Sequence, residues 1–371
     1  MLFGVIYEKE FNLFFQSDQI SFIMPPRLLL LLMIVLIACQ NNPSETSSSY
    51  LTYQNPIGEE ELQVGDPFVL KHKDKYYLYG TTDSGKGFRS WKSDDIVNWE
   101  AVGFVYEKND SSFGSSNFWA PEVHYYAPHK AFYLIYTTKK DKESLLTICL
   151  AKSESPEGPF VDVYTPWIDI EGWARIDGHL FVDNDSTPYL FFDKVGVVGK
   201  PWEKPSTGYL YGQIYAVELA PDLSHAVGET VLCSEATAEW EGPLSMHSRC
   251  NEGSFVFRRG DIYYMTYSAN HYAEPSYGIG YATAQHPLGP WTKSPDNPIV
   301  ETDSAIQFSG PGHNSFTTSP NGKEMFMVYH SHADWENPSG ERRVNIDRVV
   351  FDENGNMRLE GPTRTAQRIQ K

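Results

Sequence analysis

Three carboxylates stand where strand-forming segments begin: Asp66 in "GDPFVLKH", Asp177 in "IDGHLFVD" and Glu252 in "NEGSFVF". A charge at the head of an apolar strand costs desolvation energy unless something there uses it. One such acid is accounted for by a turn that it caps. Several drawn around one pocket are not, because a tight acidic cluster is unfavourable unless its members share protons or hold a cation. Whether these residues meet decides what chemistry they can do.

The elements that would bring them together recur along the chain. "KYYLYGTT", "AFYLIYTTKK", "TPYLFFDK", "DIYYMTYSAN" and "KEMFMVYHSH" are aromatic and β-branched runs bounded by Gly, Pro, Asn and Asp, the pattern of short strands and turns. Each comes after a polar head, a strand and a turn. With Asp66, Glu122, Asp177, Glu252 and His313 as markers, the spacings are 56, 55, 75 and 61 residues. Five copies of a sheet-forming unit of this size predict an all-β fold, a five-bladed β-propeller occupying residues 55–371 as one domain. In a propeller the first strand of each blade lines a central channel, so the heads converge on one mouth of it.

From about Asn55 to Pro362 the chain carries, in order, "GDPFV", "WAPE", "RIDGHLFVD", "NEGSFVF", "YSAN", "GYATAQHPLGPW", "GPGHNSF" and "RRVNIDRVVFDENG". In these motifs it resembles glycoside hydrolase family 43, propeller enzymes that act on arabinose- and xylose-containing glycans. The resemblance implies that Asp66 is the general base, Glu252 the general acid and Asp177 the carboxylate that orients the acid and raises its pKa. Carboxylates facing each other from different blades suit an inverting enzyme, whose acid and base are roughly 6.5–9.5 Å apart. The resemblance also implies sugar contacts for Trp119 and Asn270, for Glu122 either a sugar contact or the orienting of its neighbours, and for Arg342 (rather than Arg343) a reach into the pocket that binds the sugar or offsets the acidic cluster. His313 would reach a Ca²⁺ or similar cation in the channel, mostly through water. As calcium prefers oxygen, the other reading of His313 is an imidazole hydrogen-bonded to its neighbours. His179 is either a substrate contact or a support for one. "EGS" at Glu252–Ser254 departs from the commoner Glu-Gly-Pro, and Asn184–Pro188 departs from the usual Asp-Gly turn. Ending soon after the fifth blade favours an arabinose-releasing enzyme over xylosidases that carry an added β-sandwich. Two other readings stand beside the hydrolase: a non-catalytic glycan-binding propeller of an uptake system, which would lack the acid or base, and a related propeller hydrolase with another sugar.

The 371 residues carry a net charge of −18. So acidic a surface repels phosphate backbones and argues against nucleic acid as a partner. No glycine-rich nucleotide motif, CxxC pair or HExxH helix is present, so no organic cofactor is called for. The 9 Trp, 23 Tyr and 21 Phe supply core and, where exposed, faces on which sugars stack. "MPPRLLLLLMIVLIACQNNPSETSSS" from Met24 has one positive charge, an apolar run from Leu28 to Ala38 and then a cysteine. Leu36-Ile37-Ala38-Cys39 resembles a bacterial lipoprotein signal. It implies a signal over 24–38, lipidation at Cys39 and a flexible tether over 39–54, with residues 1–23 an upstream extension outside the protein made. The expected location is an exported, membrane-anchored lipoprotein of a bacterium, periplasmic or on the cell surface, touching the membrane only through its lipid. Cys149, Cys233 and Cys250 would remain, with room for one disulfide at most; they read as buried small hydrophobes.

Overall fold

The computed structural model describes residues 50–58, 62–170, 172–197, 210–242 and 248–371. The expectations for 1–23 and 24–38, and for Cys39 and the tether up to Ser49, lie outside these residues. Among the described residues no helix is long and apolar enough to cross a membrane.

The described chain is all β apart from three single-turn 3₁₀ segments. Twenty of its strands form five successive four-stranded antiparallel units. The first strands of these units are Gly65–His72, Ser116–Tyr126, Ala174–Val182, Ser248–Arg259 and Gly312–Thr318. The second strands are Lys75–Thr81, Ala131–Lys139, Pro188–Val197, Ile262–Ala269 and Met325–His332. Each first strand packs against the first strand of the next unit, and the fifth returns to the first. The third and fourth units are also joined edge to edge, by a parallel pairing of Leu210–Gly212 with Ser248–Cys250.

Position in the sheet explains sequence pattern. Ala131–Lys139 is buried at every residue but the last, because a central strand covered on both faces reads as one continuous apolar run. Val161–Tyr164, outermost in the same unit, alternates exposed and partly buried. Between neighbouring units lie five aromatic-rich clusters. Phe88 and Tyr106 of the first unit meet Phe118 and Tyr136 of the second; Leu150 faces Phe192 across the next seam. Phe191 and Met265 share the cluster of the third seam, Tyr281 and Met327 that of the fourth, and Ile346 of the fifth unit and Leu78 of the first that of the last.

Chain ends close the ring. Tyr50–Tyr53, placed in the tether by sequence, is instead a strand paired with Gln367–Gln370. It belongs to the domain because Asn55, buried just after it, accepts from Ile346 N at 2.9 Å and donates to Ile346 O at 2.8 Å. Cys149 and Cys250 are buried and Cys233 partly so.

Phe118 is fully buried between the first two units, its ring 6.0 Å from Phe88 and 6.1 Å from Tyr136. Phe118→Ala is expected to lower unfolding stability by about 3–5 kcal/mol, measured by urea denaturation. An unchanged midpoint would mean that this seam does not hold the two units together.

Candidate active site

Each first strand carries a left-handed residue near its head, with a register shift beside it. These residues are Asp66 (φ 50°), Ala120 (42°), Asp177 (55°), Gly253 (59°) and His313 (43°). The shifts fall at Gly65/Phe68, Trp119/Glu122, Ile176/His179, Glu252/Phe255 and Gly312/Ser315. A left-handed bulge turns its side chain and leaves a backbone N–H outside the ladder. Here that N–H is met each time by a side chain from the second strand of the preceding unit. Asp66 N donates to His330 Nδ1 at 3.1 Å, Ala120 N to Thr81 Oγ1 at 2.8 Å and Asp177 N to Thr137 Oγ1 at 3.0 Å. Gly253 N donates to Asp193 Oδ2 at 2.8 Å and His313 N to Ser268 Oγ at 2.7 Å.

This register corrects the marker set taken from sequence. Asp66, Asp177 and His313 occupy equivalent positions, but Glu122 lies two residues beyond its unit's bulge and Glu252 one residue before. Asp66, Asp177, Glu252, His313, Arg342, Trp119 and Asn270 all line one pocket of about 260 Å³. Glu122 and His179 do not line it. They are buried beneath, where Glu122 Oε2 lies 2.8 Å from both His179 Nδ1 and His124 Nε2, and Val256 N donates to His179 Nε2 at 3.0 Å. Burial alone pushes the Glu122 carboxyl up, but the two imidazoles outweigh it and hold it at about 2.

Asp66 is almost enclosed by polar groups. Arg342 Nη1 is 2.6 Å from its Oδ1, Thr81 donates to its Oδ2 at 2.5 Å, and His313 Nδ1 and His330 Nδ1 lie 3.5 and 3.7 Å from Oδ1. Burial would raise its pKa, but Arg342 first, then the two histidines and Thr81, hold it well below the usual carboxylate range. Gly65 permits this contact, because a Cβ there would collide with the Arg342 guanidinium. Arg343, by contrast, points away and donates to Gly58 O at 3.3 Å.

Glu252 meets different surroundings in the same pocket. Tyr277 donates to its Oε1 at 2.8 Å. Burial, then the charge of Asp66, outweigh Tyr277 and Arg342 and lift its pKa to about 7. Asp177 is pushed up as well, by burial and then by Glu252 and Asp66. Beside the ionised Asp66 the pocket thus holds Glu252 with its proton affinity lifted toward neutral pH, the pair that acid–base cleavage of an acetal requires.

The remaining residues have definite places. Asn270 lines the pocket, and its Nδ2 donates to Trp240 O and Ser276 O at 2.8 and 2.7 Å while its Oδ1 is buried with no partner among the described residues. The donors around His313 fit a hard cation poorly. Calcium takes six to eight oxygens, whereas this region offers imidazoles and carboxylates already engaged with one another. No catalytic step is therefore assigned to a metal ion. Sequence inspection missed Thr81, His330, Tyr277 and Asp193. Thr81, His330 and Asp193 are register partners of Gly65, Gly312 and Ile176, but in sequence they sit unmarked just after the aromatic runs of their strands.

Comparison with known proteins agrees with this geometry. The model of "Glycosyl hydrolases family 43" matches residues 53–357. The chain is 27% identical to the Beta-D-galactofuranosidase xynD of Aspergillus niger, over 87% of this chain and 90% of that one. It is 25% identical to an extracellular exo-alpha-(1->5)-L-arabinofuranosidase of Streptomyces avermitilis, over 83% of this chain and 63% of the relative. Among solved structures, a thermostable family-43 glycoside hydrolase superposes with a TM-score of 0.79 at 42% identity, over 86% of this chain and 99% of its own. With the family pattern matched along most of its length and a pocket that pairs an ionised with a protonated carboxyl, the chain belongs to glycoside hydrolase family 43 and is a glycosidase.

Proposed function

We propose that the enzyme is a five-bladed propeller that releases arabinose or xylose from plant-type glycans by single-displacement, inverting hydrolysis. The observation that carries this reading is the contrast between two buried carboxyls of one pocket, Asp66 held by Arg342 and Thr81 and Glu252 met by Tyr277. A non-catalytic sugar-capture propeller has no use for that difference.

In the mechanism, a water beside Asp66 attacks the anomeric carbon. Its proton passes to Asp66 as the carbon–oxygen bond to the leaving group breaks. Glu252 delivers its proton to the departing oxygen, which leaves as a hydroxyl. Asp66 and Glu252 come from the first and fourth units, and carboxyls on different units suit the gap of roughly 6.5–9.5 Å that an inverting enzyme leaves for its water. Solvent then removes the proton from Asp66 and returns one to Glu252. Arg342 keeps the base ionised between turnovers. Trp119 supplies an apolar wall for the ring.

Relatives' names support a furanose or pentose substrate: one is called an exo-alpha-(1->5)-L-arabinofuranosidase and another a putative beta-xylosidase. The name of the Aspergillus niger relative adds β-D-galactofuranosides as a further substrate class to assay. Export as a lipoprotein rests on Leu36–Cys39 and the apolar run before it.

Asp66→Asn and Glu252→Gln are each expected to lower kcat by about 10²–10⁴-fold on an unactivated disaccharide. With a dinitrophenyl pentoside, which leaves without protonation, Glu252→Gln should recover most of its activity and Asp66→Asn should not. NMR of the first product should show the inverted anomer; a retained one would refute single displacement. Because the acid must be protonated, wild-type kcat/KM should fall as pH rises through about 7, the value to which Glu252 is lifted. Arg342→Gln leaves the burial of Asp66 unopposed by its strongest cation, so the acidic limb of the pH–rate profile should move to higher pH. An unmoved limb would mean that Arg342 does not set the protonation of the base. Metabolic labelling with palmitate should mark the wild-type protein and not Cys39→Ala; equal labelling would exclude Cys39 as the lipid site.

A further inference from the structure

Asp193 is fully buried and is neither the acid nor the base of the reaction. It sits on the second strand of the third unit, paired with Ile176. One oxygen, Oδ2, accepts the Gly253 N–H at 2.8 Å. No donor reaches the other, Oδ1. In register Asp193 lies opposite Ile176, beside the buried carboxyl of Asp177, and burial, then the charge of Asp177, raises its proton affinity. Two carboxylates cannot bond to each other without a proton between them.

The ring supplies an internal control. Thr81 occupies the matching position in the first unit, paired with Gly65 as Asp193 is with Ile176. Its hydroxyl donates to Asp66 and accepts the Ala120 N–H of the next unit. Asp193 stands between Asp177 and Gly253 in the same way. Thr137 and Ser268, at the matching positions of the second and fourth units, are also neutral hydroxyls. A carboxyl can take the place of a bridging hydroxyl only if it carries a proton to give.

We propose that Asp193 is a positioning residue of the reaction centre: as a neutral carboxylic acid it donates a hydrogen bond to Asp177 while accepting from Gly253, and so fixes the orienting carboxylate against the strand that bears Glu252. This deepens the hydrolase reading and rests on it.

The charges around the pair favour retention of that proton. Asp177 faces it from the first strand of its own unit and Glu252 from the first strand of the next, while Asp66 and Glu122 act on Asp177 from across the pocket and from below. Nearby cations are turned elsewhere: Arg175 binds Ile170 O and Asp169, and Lys194 lies over the Trp173 ring. On the third strand of the unit, Asp193 pairs with Ile214, which does not titrate. Burial and this acidic company raise the proton affinity of both carboxyls well above the ordinary range.

The test compares Asp193→Val, Asp193→Thr and Asp193→Asn. Val removes the bridge; Thr restores the hydroxyl that the ring uses elsewhere, and Asn mimics the protonated acid. Asp193→Val should lower kcat about 10–100-fold, the loss expected when a buried carboxylate loses its donor. Thr and Asn should recover activity to within about threefold of wild type and keep the basic limb of the pH–rate profile in place. If Thr and Asn instead shift that limb to lower pH, Asp193 was ionised and its charge was raising Glu252, and the proposal fails. It fails equally if Val is as active as wild type. Should Val not fold, difference infrared spectroscopy decides: a protonated-carboxyl band present in the wild type at about pH 6–7, where a raised carboxyl keeps its proton, should vanish in Asp193→Asn, and no loss of band overturns the assignment. That readout does not depend on turnover. Activity surviving in Asp66→Asn and Glu252→Gln would overturn the hydrolase mechanism while leaving the infrared result to stand by itself.

Discussion

A backbone N–H that no sheet ladder can use organises this protein. At the head of each first strand the chain turns left-handed, which for a residue other than glycine costs roughly 1–2 kcal/mol. The freed N–H would add about 1–3 kcal/mol if buried without a partner. His330, Thr81, Thr137, Asp193 and Ser268 each meet one of these groups from the unit before. The same bonds therefore relieve the turn, join successive units and hold the strand heads in place around the pocket. Strain is concentrated where chemistry happens and is offset by the contact that closes the ring.

On that repeated backbone the site is made by varying side chains and neighbours. Asp66 and Glu252 are both buried acids in one pocket, and burial pushes each upward. The difference lies in company: a guanidinium at 2.6 Å for Asp66 and a phenol at 2.8 Å for Glu252. Two missing side chains admit those partners. A Cβ at Gly65 would strike Arg342, and one at Gly312 would strike the Tyr277 ring.

Much of this was legible in the sequence. Five aromatic runs at similar spacing marked the sheet units, and polar heads at Asp66, Asp177 and Glu252 marked residues that do share a pocket. Register was not legible. Periodicity locates a strand but not a bulge within it, so Glu122 was counted with the pocket residues although it lies two positions past its bulge and is bound by His124 and His179. Asp193 and Thr81 escaped notice for a related reason. Each follows the apolar run of its strand and acts only through cross-strand and cross-unit neighbours, which no local pattern records. Tyr50–Tyr53 was placed in a tether because its strand partner, Gln367–Gln370, lies at the far end of the chain.

The offset of Glu252 from the ring position has its own physical cause. In the fourth unit the left-handed residue is Gly253, and a Cβ there would lie 2.9 Å from His313 Nδ1. With His313 projecting from the fifth unit beside Asp66, the fourth has no room for a side chain at its bulge. Its carboxyl comes instead from the residue before, opposite Ser268 in register. From there it meets Tyr277 while Asp66 meets Arg342 and Thr81. One steric exclusion between neighbouring units thus keeps the two carboxyls in separate hydrogen-bond environments within one pocket, and it is this separation that lets one remain charged while the other keeps its proton.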